Sequence, residues 1–299
     1  MNVSFATHRP NFTAPRRALP AAEEPADRAL LGGEPGTPLA HKLVAGAVMG
    51  GVAWNVSNIA SQVASLPGVT AKVAAAALVA GSALAGWAAA DFGSGIFHWA
   101  VDNYPTRNTP VLGELAEKFQ IHHHERHSIL ERSTLSNLAQ VGHFTALPIL
   151  ALGLFSPHHA VTAGVTSMLL GTTLGQVSHR WTHHPQAPRL AQSLQRARVL
   201  QTRSDHAKHH AMPWDDYYCI VNGMWNQTLS KANFWRKLEK QVFQLTGREP
   251  KSWRDPGVKA LALGRITPEE FQANRKVDRA VFRQAAQNDY RDYQARQSH

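Results

Sequence analysis

Residues 72–102 read KVAAAALVAGSALAGWAAADFGSGIFHWAVD. The run is apolar and rich in small residues, long enough to cross a bilayer as a helix, and small residues suit close helix packing there. It ends in FHWAVD, where His98 and Asp102 stand four apart and so share a helix face. From Leu43 to Ile96 the only charges are Lys72 and Asp91. The reading is a membrane helix that delivers an imidazole and a carboxylate at its end.

Three more apolar segments extend this pattern: 43–66 (LVAGAVMGGVAWNVSNIASQVASL), 141–155 (VGHFTALPILALGLF) and 160–178 (AVTAGVTSMLLGTTLGQVS). The four form two hairpins with short turns free of Lys, Arg, Asp and Glu, which predicts four passes. Arg16, Arg17 and Lys42 precede the first span, the 101–140 connection carries Arg107, Lys118, Arg126 and Arg132, and the chain beyond Arg180 is strongly basic. By the positive-inside rule both termini and the middle connection are cytosolic. The expected fold is all-α: an integral membrane four-helix bundle with a cytosolic helical cap carrying a histidine-rich di-metal site. The expected organisation is a disordered leader over 1–38, a membrane domain over 39–255 and a charged helical cytosolic tail over 256–299. The membrane is a bacterial inner membrane or an endoplasmic reticulum.

Composition narrows the function. The chain carries 31 basic against 21 acidic residues, a net +10, but only 17% of it is charged, and the charge is unevenly spread. Long uncharged apolar stretches favour a membrane over nucleic acid, and no module interleaves basic and aromatic residues as nucleic-acid binders do. A single cysteine, Cys219, excludes an internal disulfide framework and any CxxC site.

There are 17 histidines, and most fall between His98 and His210. Four segments carry them in pairs: His98 with Asp102; His122 and His123 in FQIHHHERH; His179 and His183 in SHRWTHH; His206, His209 and His210 in DHAKHH. Spacings of three or four present two nitrogens to one ion, and adjacent HH pairs can serve two ions from one turn. Imidazole suits Fe, Zn, Cu or Ni, so spacing alone does not name the metal. HExxH and ExxH are absent, as are GxGxxG, Walker A and GxSxG. What remains is a site of about eight histidines with few carboxylates, set against a membrane.

HWAVD, QVSHRWTHH, DHAKHH and YYCIVNGMWN in this order resemble the plasmanylethanolamine desaturase family, whose relatives include the plant plastid phosphatidylglycerol desaturase and a bacterial light-response protein. The likeness runs from about Gly86 to Trp253. It implies a di-iron centre held by His98, His122, His123, His179, His183, His206, His209 and His210, with Asp102 and Gln176 also on matching positions. Asp102 is then either a ligand or the partner that orients His98. Arg126 departs from the family pattern, and whether His124, His127, His143 or His184 adds a ligand stays open. The resemblance further implies O2 as co-substrate, a membrane lipid as substrate, and electrons from a separate donor, cytochrome b5-like or ferredoxin-like. The implied reaction places a vinyl-ether double bond in the alkyl chain of plasmanylethanolamine, giving a plasmalogen. The alternatives are desaturation of an acyl chain of a phospholipid such as phosphatidylglycerol, and a non-catalytic membrane metal-binding signalling role.

Overall fold

The computed structural model describes residues 35–297, with side chains described for only part of the stretch beyond Arg275. The expected leader therefore lies, up to residue 34, outside the described residues. Those that are described are helical or irregular, with no strand among them.

Four long helices form a bundle: α1 (Leu39–Ala64), α2 (Gly68–Asn103), α4 (Thr134–Phe155) and α5 (His159–His183), with the short α3 (Gly113–His124) between the hairpins. The start of α1 meets the start of α4 through Thr37 and Ser133 (2.6 Å) and through His41 and Ser136 (3.0 Å). The far ends meet where Gln62 donates to Ser156 and Pro157. The chain alternates direction, so α2 and α5 both finish at the end where α1 and α4 begin.

Small residues set the spacing of the bundle. A Cβ on Gly86 would lie 2.0 Å from the Gly164 carbonyl oxygen, so α2 and α5 touch backbone to backbone there. Gly86→Ala must force these helices apart, and the expected cost is about 1–3 kcal/mol. Gly81→Ala, where a Cβ meets open space, is the control. Apparent melting temperature in detergent should fall for Gly86→Ala and stay unchanged for Gly81→Ala.

Among the described residues, three helices are long and apolar enough to cross a membrane: α1, α2 and α4. The fourth expected pass, 160–178, falls in α5, which does not qualify. The reason is its surroundings: Thr162, Thr166, Thr173 and Ser178 are buried against the other helices, so this helix does not need an apolar surface for lipid. Its hydroxyls bond inside the bundle, as between Thr173 and Thr145 (2.6 Å) and between Thr166 and Asn55 (3.1 Å). Leu43, Leu78, Leu84, Phe144, Leu147 and Phe155 are exposed on the outside of the three apolar helices.

At the shared end lies a cap of short helices, α3, α6 (Arg189–Arg196), α7 (Arg203–His209), α8 (Asn226–Lys231), α9 (Phe234–Thr246) and α10 (Pro256–Ala262), followed by the long α11 (Pro268–Gln297). Trp253, Val258, Ala262 and Phe271 form one small core, so the start of the charged tail packs against the end of the cap.

Candidate metal centre

The centre is built where four helices end. Its side chains fall into two groups, and within each group the potential donor atoms lie within 4.8 Å of one another. The first is His122, His179, His183, His206 and His210; the second is His98, Asp102, His123 and His209. All nine are buried.

Helix geometry explains the sorting. Consecutive residues on a helix point about 100° apart, so His122 and His123 at the end of α3 face different groups. The same holds for His209 and His210 at the end of α7. Residues four apart stay together: His179 with His183, and His206 with His210.

In the first group Nε2 atoms converge. His122 lies 2.9 Å from His179 and 3.1 Å from His183, and His206 lies 2.8 Å from His183 and 2.9 Å from His210. In the second, Nε2 of His123 and His209 are 3.1 Å apart. Asp102 Oδ2 sits 3.4 Å from Nε2 of His98 and of His123, and 3.7 Å from that of His209. Two outer nitrogens are fixed by backbone: His98 Nδ1 on the Tyr218 carbonyl (3.1 Å) and His209 Nδ1 on that of Asp216 (2.9 Å). The Tyr218 carbonyl holds His98 by its outer nitrogen, and the Asp102 carboxylate stands among the inward-facing nitrogens.

These residues fit a cation. Neither oxygen of Asp102 has a hydrogen-bond partner among the described residues, and a buried carboxylate without donors is costly unless a cation meets it. Burial first, and then the neighbouring imidazoles, holds His122, His206, His209 and His210 below the ordinary value of 6.5. They are therefore neutral at pH 7, the form that binds metal. The donor set also separates the groups: five neutral imidazoles in one, three imidazoles and a carboxylate in the other.

Gln176 is half-buried on α5, one turn before His179. His124, His127, His143 and His184 lie outside both groups. His124 stacks on Tyr290 of α11 (4.6 Å) and meets the edge of Trp214 (5.0 Å). His143 turns to the Ala139 carbonyl, and His184 accepts from the Gln186 amide (3.1 Å).

The wall behind the second group, residues 214–226, carries roles that spacing does not reveal. It is irregular, turned by left-handed Trp214 (φ 60°) and Tyr217 (φ 59°), yet buried from Tyr218 to Val221. Its backbone is satisfied from outside. Asp91, deep in α2, accepts from the amides of Val221, Asn222, Gly223 and Trp225, and Ser94 accepts from that of Ile220. Gln201 and Asn226 donate to the Cys219 carbonyl. The sequence signal was there: Asp91 is the one acidic residue in a long apolar stretch.

Residues 87–253, more than half of the chain, match the lipid desaturase domain family. Fatty acid desaturase 4, chloroplastic, of Arabidopsis thaliana is 39% identical over 178 residues, covering 58% of this chain and 54% of that protein. Plasmanylethanolamine desaturase of Myxococcus xanthus is 30% identical over 181 residues (58% and 64%). Plasmanylethanolamine desaturase 1 of Mus musculus is 29% identical over 183 residues (56% and 66%). The chain thus spans between about half and two thirds of these relatives. No solved structure matches it.

Proposed function

The chain belongs to the lipid desaturase domain family, and we propose that it is an O2-dependent membrane desaturase whose two histidine groups each hold an iron. The observation that carries this reading is the pair of buried donor groups at the cap end of the helix bundle. His122, His179, His183, His206 and His210 would hold one ion, and His98, Asp102, His123 and His209 the other. Iron bound there would supply O2 activation and the oxidising power to take hydrogen from an unactivated methylene.

The protein's own residues supply the rest. A lipid chain loses about 0.8 kcal/mol for every CH2 withdrawn from apolar surroundings, so the site has to come to the membrane. Phe97, 50% exposed on α2, adjoins His98 and packs edge-on against Phe119, which packs on the His98 ring (5.3 Å). That apolar flank brings a chain from the bilayer to the second group. By the positive-inside rule the site faces the cytosol, where a separate cytochrome b5-like or ferredoxin-like protein delivers electrons.

For the substrate we propose the alkyl ether chain of plasmanylethanolamine, converted to the vinyl ether of a plasmalogen. A second reading is favoured by the higher identity to fatty acid desaturase 4: desaturation of an acyl chain, as in phosphatidylglycerol. One experiment separates them. The protein is expressed in a host that lacks vinyl ethers, fed alkyl-ether lipid and labelled acyl lipid, and new double bonds are located by mass spectrometry. A vinyl ether supports the first reading and a new acyl double bond the second. Unchanged lipids with iron-loaded protein would refute both.

A further inference from the structure

Tyrosine and tryptophan rings run in an unbroken file outward from the second donor group. Tyr218 lies against two of its imidazoles, 5.2 Å from the His209 ring and 5.7 Å from that of His98. Trp235 follows at 4.9 Å from Tyr218, Trp99 at 6.1 Å from Trp235, and Tyr104 at 5.3 Å from Trp99. The first three are buried, while Tyr104 is half-buried at the C-terminal cap of α2, where the chain enters the cap.

Packing alone does not account for these residue types. The file is part of an apolar core, which phenylalanine would fill without burying a polar atom. A buried indole N–H normally finds a partner, because leaving it unpaired costs free energy. The indole nitrogens of Trp99 and Trp235 have none among the described residues. The same feature has a chemical use. With no acceptor in reach, an indole keeps its proton when it loses an electron, so it can be emptied and refilled without moving a proton.

We propose that Trp235 and Trp99 are stepping stones for single electrons. Tyr218 bridges them to the metal centre and Tyr104 to the surface, so that oxidising power stranded at the centre without substrate is discharged instead of destroying the ligands. This rests on the di-iron reading above. In each step a soluble one-electron reductant such as ascorbate gives an electron at the Tyr104 end, Trp99 and Trp235 are oxidised and refilled in turn, and the centre gains that electron. No bond in the four rings is made or broken.

The test uses the full-length, iron-loaded protein in detergent, without lipid, with hydrogen peroxide as oxidant. Each peroxide accepts two electrons and two solvent protons as its O–O bond breaks, leaving two waters, and the electrons are drawn through the file. Freeze-quench electron paramagnetic resonance should detect a tryptophan radical in the native protein, quenched by ascorbate. Trp99→Phe and Trp235→Phe both keep an aromatic ring in the core and should retain iron. Trp235→Phe should lose most of that signal, and Trp99→Phe should confine it to Trp235, where ascorbate no longer quenches it. Peptide mass spectrometry should then find oxidation shifted to Tyr218 and Cys219. Trp54→Phe, on the outer surface of α1, should behave as the native protein does. Two variants are used so that a folding defect in one leaves the other to decide. Iron-loaded native protein without a radical, or variants with the native signal and oxidation pattern, would overturn the route alone. A protein that takes up no iron would overturn the di-iron reading along with it.

Discussion

Replacing His206 with alanine is expected to empty the five-histidine group and to abolish desaturation. His206 sits inside that group: its Nε2 lies 2.8 Å from that of His183 and 2.9 Å from that of His210, and its ring centre lies 4.4 Å from that of His179. It is 2% exposed, so the ring is enclosed by the site. Removing even an outer partner of a metal ligand typically costs about 10–100-fold in affinity or activity, and loss of a ligand should exceed that. Iron content should fall by one ion per chain, and double-bond formation should drop to background. His184→Ala is the matched control, because that ring lies outside both groups and should leave both readings unchanged. Elemental analysis and lipid mass spectrometry on the same preparations check the pair. His206→Ala protein with its full iron complement would remove this residue from the centre.

The second large effect concerns stability. Arg236, 6% exposed, donates to the Asp215 carboxylate (3.2 Å), to the Asp215 carbonyl (2.7 Å) and to Glu239 (2.7 Å). Glu239 also accepts from Ser252 and from the Trp253 indole, both at 3.0 Å. This network ties α9 and the helical turn Lys251–Arg254 to the segment whose Asp216 carbonyl orients His209. Arg236→Met leaves Glu239 buried without a counter-charge and Asp215 with only Arg275 (3.3 Å). Breaking a buried pair in this way costs about 3–5 kcal/mol, whereas replacing both partners by apolar residues is often neutral. The apparent melting temperature in detergent should therefore fall sharply for Arg236→Met and recover in part for Arg236→Met with Glu239→Leu. Equal losses in the single and double variants would mean that the contribution comes from packing, not from charge.

Much of the bundle was legible because its signals are local. The run from Lys72 to Asp102 declares a helix by composition, and the i, i+4 spacing of His98 and Asp102, of His179 and His183, and of His206 and His210 states which rings share a face. The division of the HH pairs between two groups also follows from helix geometry.

The remainder depends on contacts distant in sequence. Hydropathy alone does not mark α5 as it marks α1, α2 and α4, because a helix enclosed by its neighbours keeps its threonines. Asp91 looks like a stray charge until four amides more than a hundred residues away are seen to converge on it. His159 follows the short turn between the last two apolar segments, where nothing local signals a core position, yet it is buried beside His158. The tail gave no chemical signal because Phe271 and Tyr290, its contacts with the cap core and with His124, stand too far apart to form a stripe.

Anomalous diffraction at the iron absorption edge, from crystals of protein purified with its native metal, decides whether each histidine group holds an iron. Two peaks per chain are expected, one among His122, His179, His183, His206 and His210 and the other among His98, Asp102, His123 and His209. A single peak, none, or peaks away from these nine side chains would contradict the two-iron centre.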